Sequence, residues 1–175
     1  MSGKYFHTQE SWSVRLSNPI PCNKDTAWLG EATYFWKDEF DAERWGHDSK
    51  TRTKYFEVYI CDLDLEDMLD TVFNETHYNF WVEQIEKVAK KIMAKTHLKP
   101  TLKELNEYFK EIGSWNEVSA IQFQDLPTNN NHLMVQPIQY KHKRVIFSYR
   151  KRIQIAVYNP KIISNFAFLK REQCV

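Results

Sequence analysis

Apolar and polar positions follow two periods along this chain, one typical of strands and one typical of helices. Runs of aromatic and β-branched residues mark the strands. Polar stretches separate these runs, including a loop over 10–27 and a turn over 128–131. The predicted strands cover 4–9, 33–36, 55–61, 118–123, 133–137, 145–149 and 152–158, and residues 162–168 form a closing apolar segment.

Apolar residues spaced by threes and fours predict a long helix over about 76–95. A second helix is predicted to begin at Thr101, which forms a capping-box pattern with the glutamate three residues later. Shorter helices are predicted after an N-cap at Asp38 and over 65–69. This mixture of strands and helices predicts an α+β fold, and 175 residues fit a single domain.

The segment from Gly30 to Trp36 combines a glycine, which permits a tight bend or a close approach of the backbone to a ligand, with a strand of four β-forming residues. Tyr34 lies on this strand, and Trp45 follows eleven residues later near the end of the predicted helix. If the helix folds back beside the strand, the two rings face each other across a flat slot. The segment alone favours the alternative, in which both are ordinary core aromatics.

Composition excludes several classes of protein. A hydrophobic content of 42% and an aromatic content of 15% indicate a folded chain. The three cysteines have no paired spacing, so they indicate neither a disulfide framework nor a zinc site and favour the reducing cytoplasm. No apolar run is long enough to cross a membrane, and no signal peptide is evident.

Histidines lack metal-ligand spacing, and neither a P-loop nor a G-x-G-x-x-G pattern is present.

Charge is unevenly distributed. Residues 1–75 contain 8 basic and 15 acidic residues, whereas residues 76–175 contain 16 and 8, giving net charges of −7 and +8. The two halves attract each other within one fold, or the basic half binds an anionic partner. A basic run with interleaved aromatics resembles a nucleic-acid-binding surface, although a solvated sheet edge is the slightly favoured alternative. Its basic residues are Lys141, Lys143, Arg144, Arg150 and Arg152.

Three separated segments together resemble the ADP-ribosyltransferase superfamily, in its diphtheria-toxin and poly-ADP-ribose-polymerase branch. They are Phe6-His7-Thr8, Gly30-x-x-x-Tyr34-Phe35 followed by Trp45, and the strand Ile153-Gln154-Ile155-Ala156-Val157-Tyr158-Asn159. The resemblance implies a split β-sheet core spanning most of the chain. The stretch over about 64–115 has no counterpart in the family and is interpreted as a helical insertion.

The resemblance also implies NAD as the substrate and assigns roles to these residues. Tyr34 and Trp45 would clamp the nicotinamide ring by stacking. The backbone next to Thr8 would bond the carboxamide, and His7 would bond the adenosine ribose. Gln154 would orient the nicotinamide ribose, whose bond to nicotinamide breaks through a positively charged, oxocarbenium-like centre.

The chain departs from the family pattern at two positions. Thr8 stands where glycine is usual, and Gln154 stands where a glutamate is expected. Gln154 suffices in a slower, mono-transferring enzyme, or another carboxylate enters the site, or the chain binds NAD without turnover. The carboxylates considered for the second alternative are Glu31, Glu117 and Asp125.

The leading hypothesis is a mono-ADP-ribosyltransferase, a cytoplasmic bacterial toxin or phage-defence effector that modifies RNA, DNA or protein. Such an enzyme would be expected to have a neutralising antitoxin. One alternative is a non-catalytic nucleic-acid-binding module that uses residues 140–152. Another is an NAD glycohydrolase, in which water is the acceptor.

Overall fold

The computed structural model describes residues 3–25, 27–125, 138–140, 143–145 and 152–174, which form a mixed α+β fold. The helices are α1 (Glu39–Ser49), α2 (Glu75–Thr96) and α3 (Leu102–Glu111). The strands are β1 (Lys4–Glu10), β2 (Thr33–Trp36), β3 (Tyr55–Leu63), β4 (Met68–Asp70), β5 (Ala120–Gln124), β6 (Ile138–Tyr140), β7 (Lys143–Val145), β8 (Ile153–Val157) and β9 (Ile163–Gln173).

Seven of these strands form one mixed sheet in the order β4-β5-β8-β2-β1-β3-β9. The pairing of β4 with β5 is parallel, and the other neighbours are antiparallel. Strands β6 and β7 form a separate antiparallel pair. Strand β9 forms one edge of the sheet and follows a short 3₁₀ helix, Pro160–Ile162. The closing apolar segment predicted over 162–168 lies almost entirely within β9.

The predicted helix starts are confirmed. The Asp38 side chain accepts a hydrogen bond from the backbone N–H of Phe40 at 2.9 Å, so it caps α1. Thr101 and Glu104 form the reciprocal capping box at the start of α3. The long helix α2 extends one residue beyond each end of the predicted range.

Among the described residues, three apolar clusters hold the helices and the sheet together. Helices α2 and α3 pack Val88, Leu105 and Phe109 against residues of β5 and β8. Helix α1 packs Ala42 against buried aromatics of β2 and β3. The third cluster contains Phe35. Successive residues of a strand point to opposite faces of the sheet, so this cluster lies on the face opposite to the side chains of Tyr34 and Trp36.

The predicted helix over 65–69 is wrong. The chain makes a single turn there, with the backbone N–H of Met68 donating to the carbonyl of Leu65, and then enters β4. Parallel pairing with β5 supplies backbone partners and buries Leu69, which outweighs the local preference for a helix. Because β4 belongs to the sheet, the segment over 64–115 is not purely a helical insertion.

Several sequence predictions fall outside the described residues. These are the turn over 128–131, the strand over 133–137 and most of the strand over 145–149. The remaining predicted strands are confirmed within three residues at each end.

Candidate functional site

Strands β1 and β2 separate after a very short contact. They share one registered pair, Phe6 with Trp36. On their other edges, β1 pairs along its whole length with β3, and β2 pairs along its whole length with β8. The sheet therefore opens as a wedge between its two halves, and a cavity of about 520 Å³ lies there. This volume falls within the range typical of small-molecule sites.

Five residues that the resemblance selected line this one cavity. They come from four elements: His7 and Thr8 from β1, Tyr34 from β2, Trp45 from α1 and Gln154 from β8. They are separated by up to 147 positions in the sequence. The fold thus brings the predicted site residues together, whereas their roles remain predictions.

His7 connects the two strands where their backbones part. Its Nδ1 lies 2.9 Å from the carbonyl oxygen of Tyr34. A carbonyl only accepts, so Nδ1 must carry the proton and Nε2 must be an acceptor. Burial lowers the pKa of His7 to about 4, an effect that the Tyr34 hydrogen bond partly opposes and the Lys50 ammonium reinforces. The ring is therefore neutral near pH 7.

The second nitrogen of His7 has no partner in the described part of the chain. Nε2 is buried and accepts no hydrogen bond there. Because His7 is only 6% exposed, this nitrogen is also shielded from solvent. Such an acceptor is unfavourable unless a donor reaches it. A ligand hydroxyl would provide that donor. The imidazole is otherwise held by Phe35 and Phe166, whose ring centroids lie 5.5 and 6.1 Å away.

Thr8 anchors the neighbouring helix to the sheet. Its hydroxyl donates to the carbonyl of Ala42 at 2.7 Å, and the side chain is buried. This bond fixes α1 over the wedge and thereby positions Trp45. A glycine at position 8 would lack this connection.

The cavity has an aromatic lining that includes Tyr34, Trp45, Trp28 and Trp36. The predicted pair has different ring neighbours: Tyr34 meets Phe123 edge-on at 6.5 Å, while Trp45 lies 5.9 Å from Trp36. The Tyr34 hydroxyl donates to the Gly30 carbonyl at 2.9 Å, which orients its ring. Burial raises the pKa of Tyr34, so its hydroxyl stays protonated.

Gly30 shapes the entrance to β2. Its φ of +82° lies in the left-handed region that side chains disfavour. Its carbonyl is the one that Tyr34 bonds, and the Tyr158 hydroxyl donates to the adjacent Leu29 carbonyl at 2.9 Å. The predicted role of Gly30 in a tight bend is confirmed.

A carboxylate lies in the same cavity as Gln154. Asp125 lines it, whereas Glu31 lines a different cavity of about 320 Å³ and Glu117 is exposed on the loop before β5. Asp125 is the residue after β5, and Gln154 of β8 pairs with Phe123 of β5. Among the three carboxylates considered from the sequence, Asp125 is the one placed to act there.

Arg152 is buried beside Asp125. Its Nε lies 3.2 Å from Oδ2 of Asp125, and its Cζ lies 4.6 Å from the centroid of the Trp36 ring. The contact is an ion pair without the alignment of a good hydrogen bond. Burial raises the pKa of Asp125, Arg152 opposes this rise, and the carboxylate of Asp41 adds to it.

Arg152 therefore does not belong to a solvated basic surface, because it is only 6% exposed. Sequence reasoning considered it for nucleic-acid binding, behind the slightly favoured alternative of a solvated sheet edge, and did not identify its pairing with Asp125. Lys143 and Arg144 lie on β7, whereas Lys141 and Arg150 fall outside the described residues.

Two lysines at the cavity, Lys24 and Lys50, were also missed by sequence reasoning. Each lies in a polar segment, and no local pattern distinguishes it from a solvated lysine.

Comparisons with protein-family models, with curated proteins and with solved structures give no match for this chain. In the part of the chain that the structure describes, no helix has both the length and the apolar character needed to cross a membrane. Within the same residues, no three or more His, Cys, Asp or Glu side chains are grouped so that they could hold a metal ion.

Proposed function

We propose that this chain is an NAD-dependent mono-ADP-ribosyltransferase whose site is the cavity between β1 and β2. The observation that carries the proposal is the meeting of His7, Thr8, Tyr34, Trp45 and Gln154 on one cavity. The resemblance selects these residues from local motifs alone, which carry no information on their distances in space. The split of the sheet into two halves at Phe6 and Trp36 supports the same family architecture.

The geometry supports chemical roles for the aromatic walls, for His7 and for Gln154 in this proposal. The aromatic walls suit the flat nicotinamide ring. The unpartnered Nε2 of His7 accepts a hydrogen bond from a ribose hydroxyl, and the low pKa of His7 keeps that nitrogen free to accept. Gln154 is 7% exposed and lines the cavity, where its amide orients the nicotinamide ribose.

In the proposed reaction, the bond between C1′ of the ribose and the nicotinamide nitrogen breaks. Nicotinamide leaves with the bonding electrons, and a nucleophile of the acceptor bonds to C1′ and loses its proton. The acceptor is an RNA, DNA or protein group. The site supplies orientation and exclusion of water rather than a full counter-charge, because Gln154 is neutral and Arg152 pairs with Asp125. We therefore propose a slow enzyme. A cytoplasmic toxin or phage-defence role, with an antitoxin as partner, belongs to this proposal.

The test uses purified protein and NAD labelled separately in its nicotinamide and adenylate parts. We expect release of labelled nicotinamide together with transfer of adenylate label to added RNA, DNA or protein. Release without transfer would instead identify a glycohydrolase. Neither release nor transfer with any acceptor class, in protein shown to be folded, would refute the proposal.

Two substitutions of Tyr34 separate its ring from its hydroxyl. Tyr34→Ala should lower nicotinamide release by roughly tenfold or more, because the stacking wall is lost. Tyr34→Phe keeps the ring and should retain most activity. Tyr78→Ala, which removes a tyrosine that is 47% exposed on α2, is the matched control. Gln154→Glu should raise the rate if the missing charge limits it.

A further inference from the structure

We propose that Lys24 and Lys50 form an anion subsite at the wide end of the cavity, and that it binds the diphosphate of a dinucleotide. The diphosphate identity rests on the proposed function, whereas the anion subsite itself rests on the positions of the two lysines. Both line the cavity, together with the polar side chains of Asn23 and Ser49.

Strand register places both lysines away from Gln154. Gln9 lies three residues beyond the single pair that joins β1 to β2, and the Lys50 ammonium donates to the Gln9 side-chain oxygen at 3.3 Å. At about 3.4 Å per residue, this point is roughly 10 Å from the narrow end of the wedge. Lys24 approaches from the side of β2. Cys22, two residues before Lys24, forms a backbone bridge with Ala32, which directly precedes β2.

The two ammonium groups have no carboxylate partner within 4 Å in the described residues. Asp25, adjacent to Lys24, instead pairs with Lys103 at 3.2 Å. Glu10, adjacent to Gln9, accepts bonds from the backbone N–H and hydroxyl of Thr53 at 2.6 and 3.2 Å. Nearby acidic side chains are thus already engaged.

Mutual repulsion and partial burial act on Lys50. Burial lowers the pKa of its ammonium, Lys24 lowers it further, and Cys22 and Glu10 oppose these effects. His7 also lies within the field of Lys50. Two like charges held on different sides of one cavity are unfavourable alone and become favourable when a doubly or triply charged anion binds between them. A diphosphate provides such a charge.

The test measures binding of inorganic pyrophosphate by isothermal titration calorimetry and by tryptophan fluorescence, which reports on Trp28 and Trp45 at the cavity. We expect Lys24→Gln and Lys50→Gln each to weaken binding about tenfold. Lys50→Arg keeps the positive charge and should retain most of the pyrophosphate affinity. Lys91→Gln, at an exposed position of α2, is the matched control and should bind as the unchanged protein does. Circular dichroism confirms that each variant is folded.

The outcomes separate this proposal from the proposed function. Absence of pyrophosphate binding, or equal weakening by Lys91→Gln, would overturn the subsite. Pyrophosphate binding that needs both lysines, without any NAD cleavage, would keep the anion subsite and refute the transferase. NAD cleavage unaffected by either lysine substitution would keep the transferase and overturn the subsite. Taken together, the two proposals predict that the lysine variants raise the KM for NAD and leave unchanged the KM for nicotinamide riboside, which has no diphosphate.

Discussion

Replacing His7 by asparagine should flatten the dependence of stability on pH. The asparagine amide nitrogen occupies nearly the position of Nδ1, so it still donates to the Tyr34 carbonyl. It does not titrate. The variant loses ring contacts with Phe35 and Phe166, which lowers its stability at every pH. Only the pH-dependent part of the change reports on the buried imidazole.

The magnitude follows from the lowered pKa of His7, about 4 in the folded chain. An unfolded histidine titrates near 6.5, so between these values the unfolded state binds the extra proton. Stability contributed by neutral His7 is therefore complete above about pH 6.5 and decreases as the pH falls toward 4. Between pH 7.5 and 4.5 the unchanged protein should lose about 2.5 kcal/mol more than the variant.

Urea unfolding of both proteins at several pH values between 7.5 and 4.5 measures this difference. For a typical urea m-value near 2 kcal/mol per molar, the difference between the midpoint urea concentrations of the two proteins should shrink by about 1 M as the pH falls from 7.5 to 4.5. The carboxylates common to both proteins cancel in the comparison. If the midpoints of the two proteins instead changed in parallel with pH, the reasoning would be refuted, because His7 would then have the same pKa in the folded and unfolded chains.

Three further changes test the packing around the site. Gly46→Ala should destabilise the chain by about 1–3 kcal/mol, because the new Cβ would meet a buried phenylalanine ring of β3 at 2.4 Å. Gly3→Ala, whose Cβ would meet nothing closer than 3.4 Å, is its control in thermal unfolding. Thr101→Ala should cost about 1 kcal/mol by removing the cap of α3, measured by urea unfolding. Asp125→Asn should cost about 3 kcal/mol because it leaves the Arg152 charge buried and unpaired, and Asp125→Asn combined with Arg152→Met should recover much of the loss in the same assay.

Local signals were sufficient for most of the fold. The capping box at Thr101 and the regular apolar spacing of α2 depend on residues within one or two turns, so the sequence predicts both helices closely. Strand β4 could not be found in this way. It has three residues, and its partner β5 lies about fifty positions later in the chain, so only tertiary pairing identifies it.

The candidate site likewise contains residues that local motifs identify and residues that only the folded structure identifies. His7, Tyr34 and Gln154 were selected because their local motifs resemble a family, and the fold brings them to one cavity. Asp125, Lys24 and Lys50 belong to no such motif, and their proposed roles depend on neighbours distant in sequence. Arg152 illustrates the limit most clearly. A basic run suggested an exposed charge, but the approach of Asp125 and Trp36 provides a buried environment for it.

Under the proposed function, the charges of the cavity would also orient NAD. Lys24 and Lys50 stand at the wide end, where they would attract the diphosphate and repel the positively charged nicotinamide. Asp125 lies beside Gln154 at the other end, where the aromatic walls and a carboxylate favour the cationic ring. Because Arg152 already balances that carboxylate, the remaining attraction is weak. Binding would thus be directed mainly by the lysines, and the cleavage step would receive little electrostatic help. This arrangement accounts for how a chain with glutamine at position 154 would bind NAD in the productive direction and still react slowly.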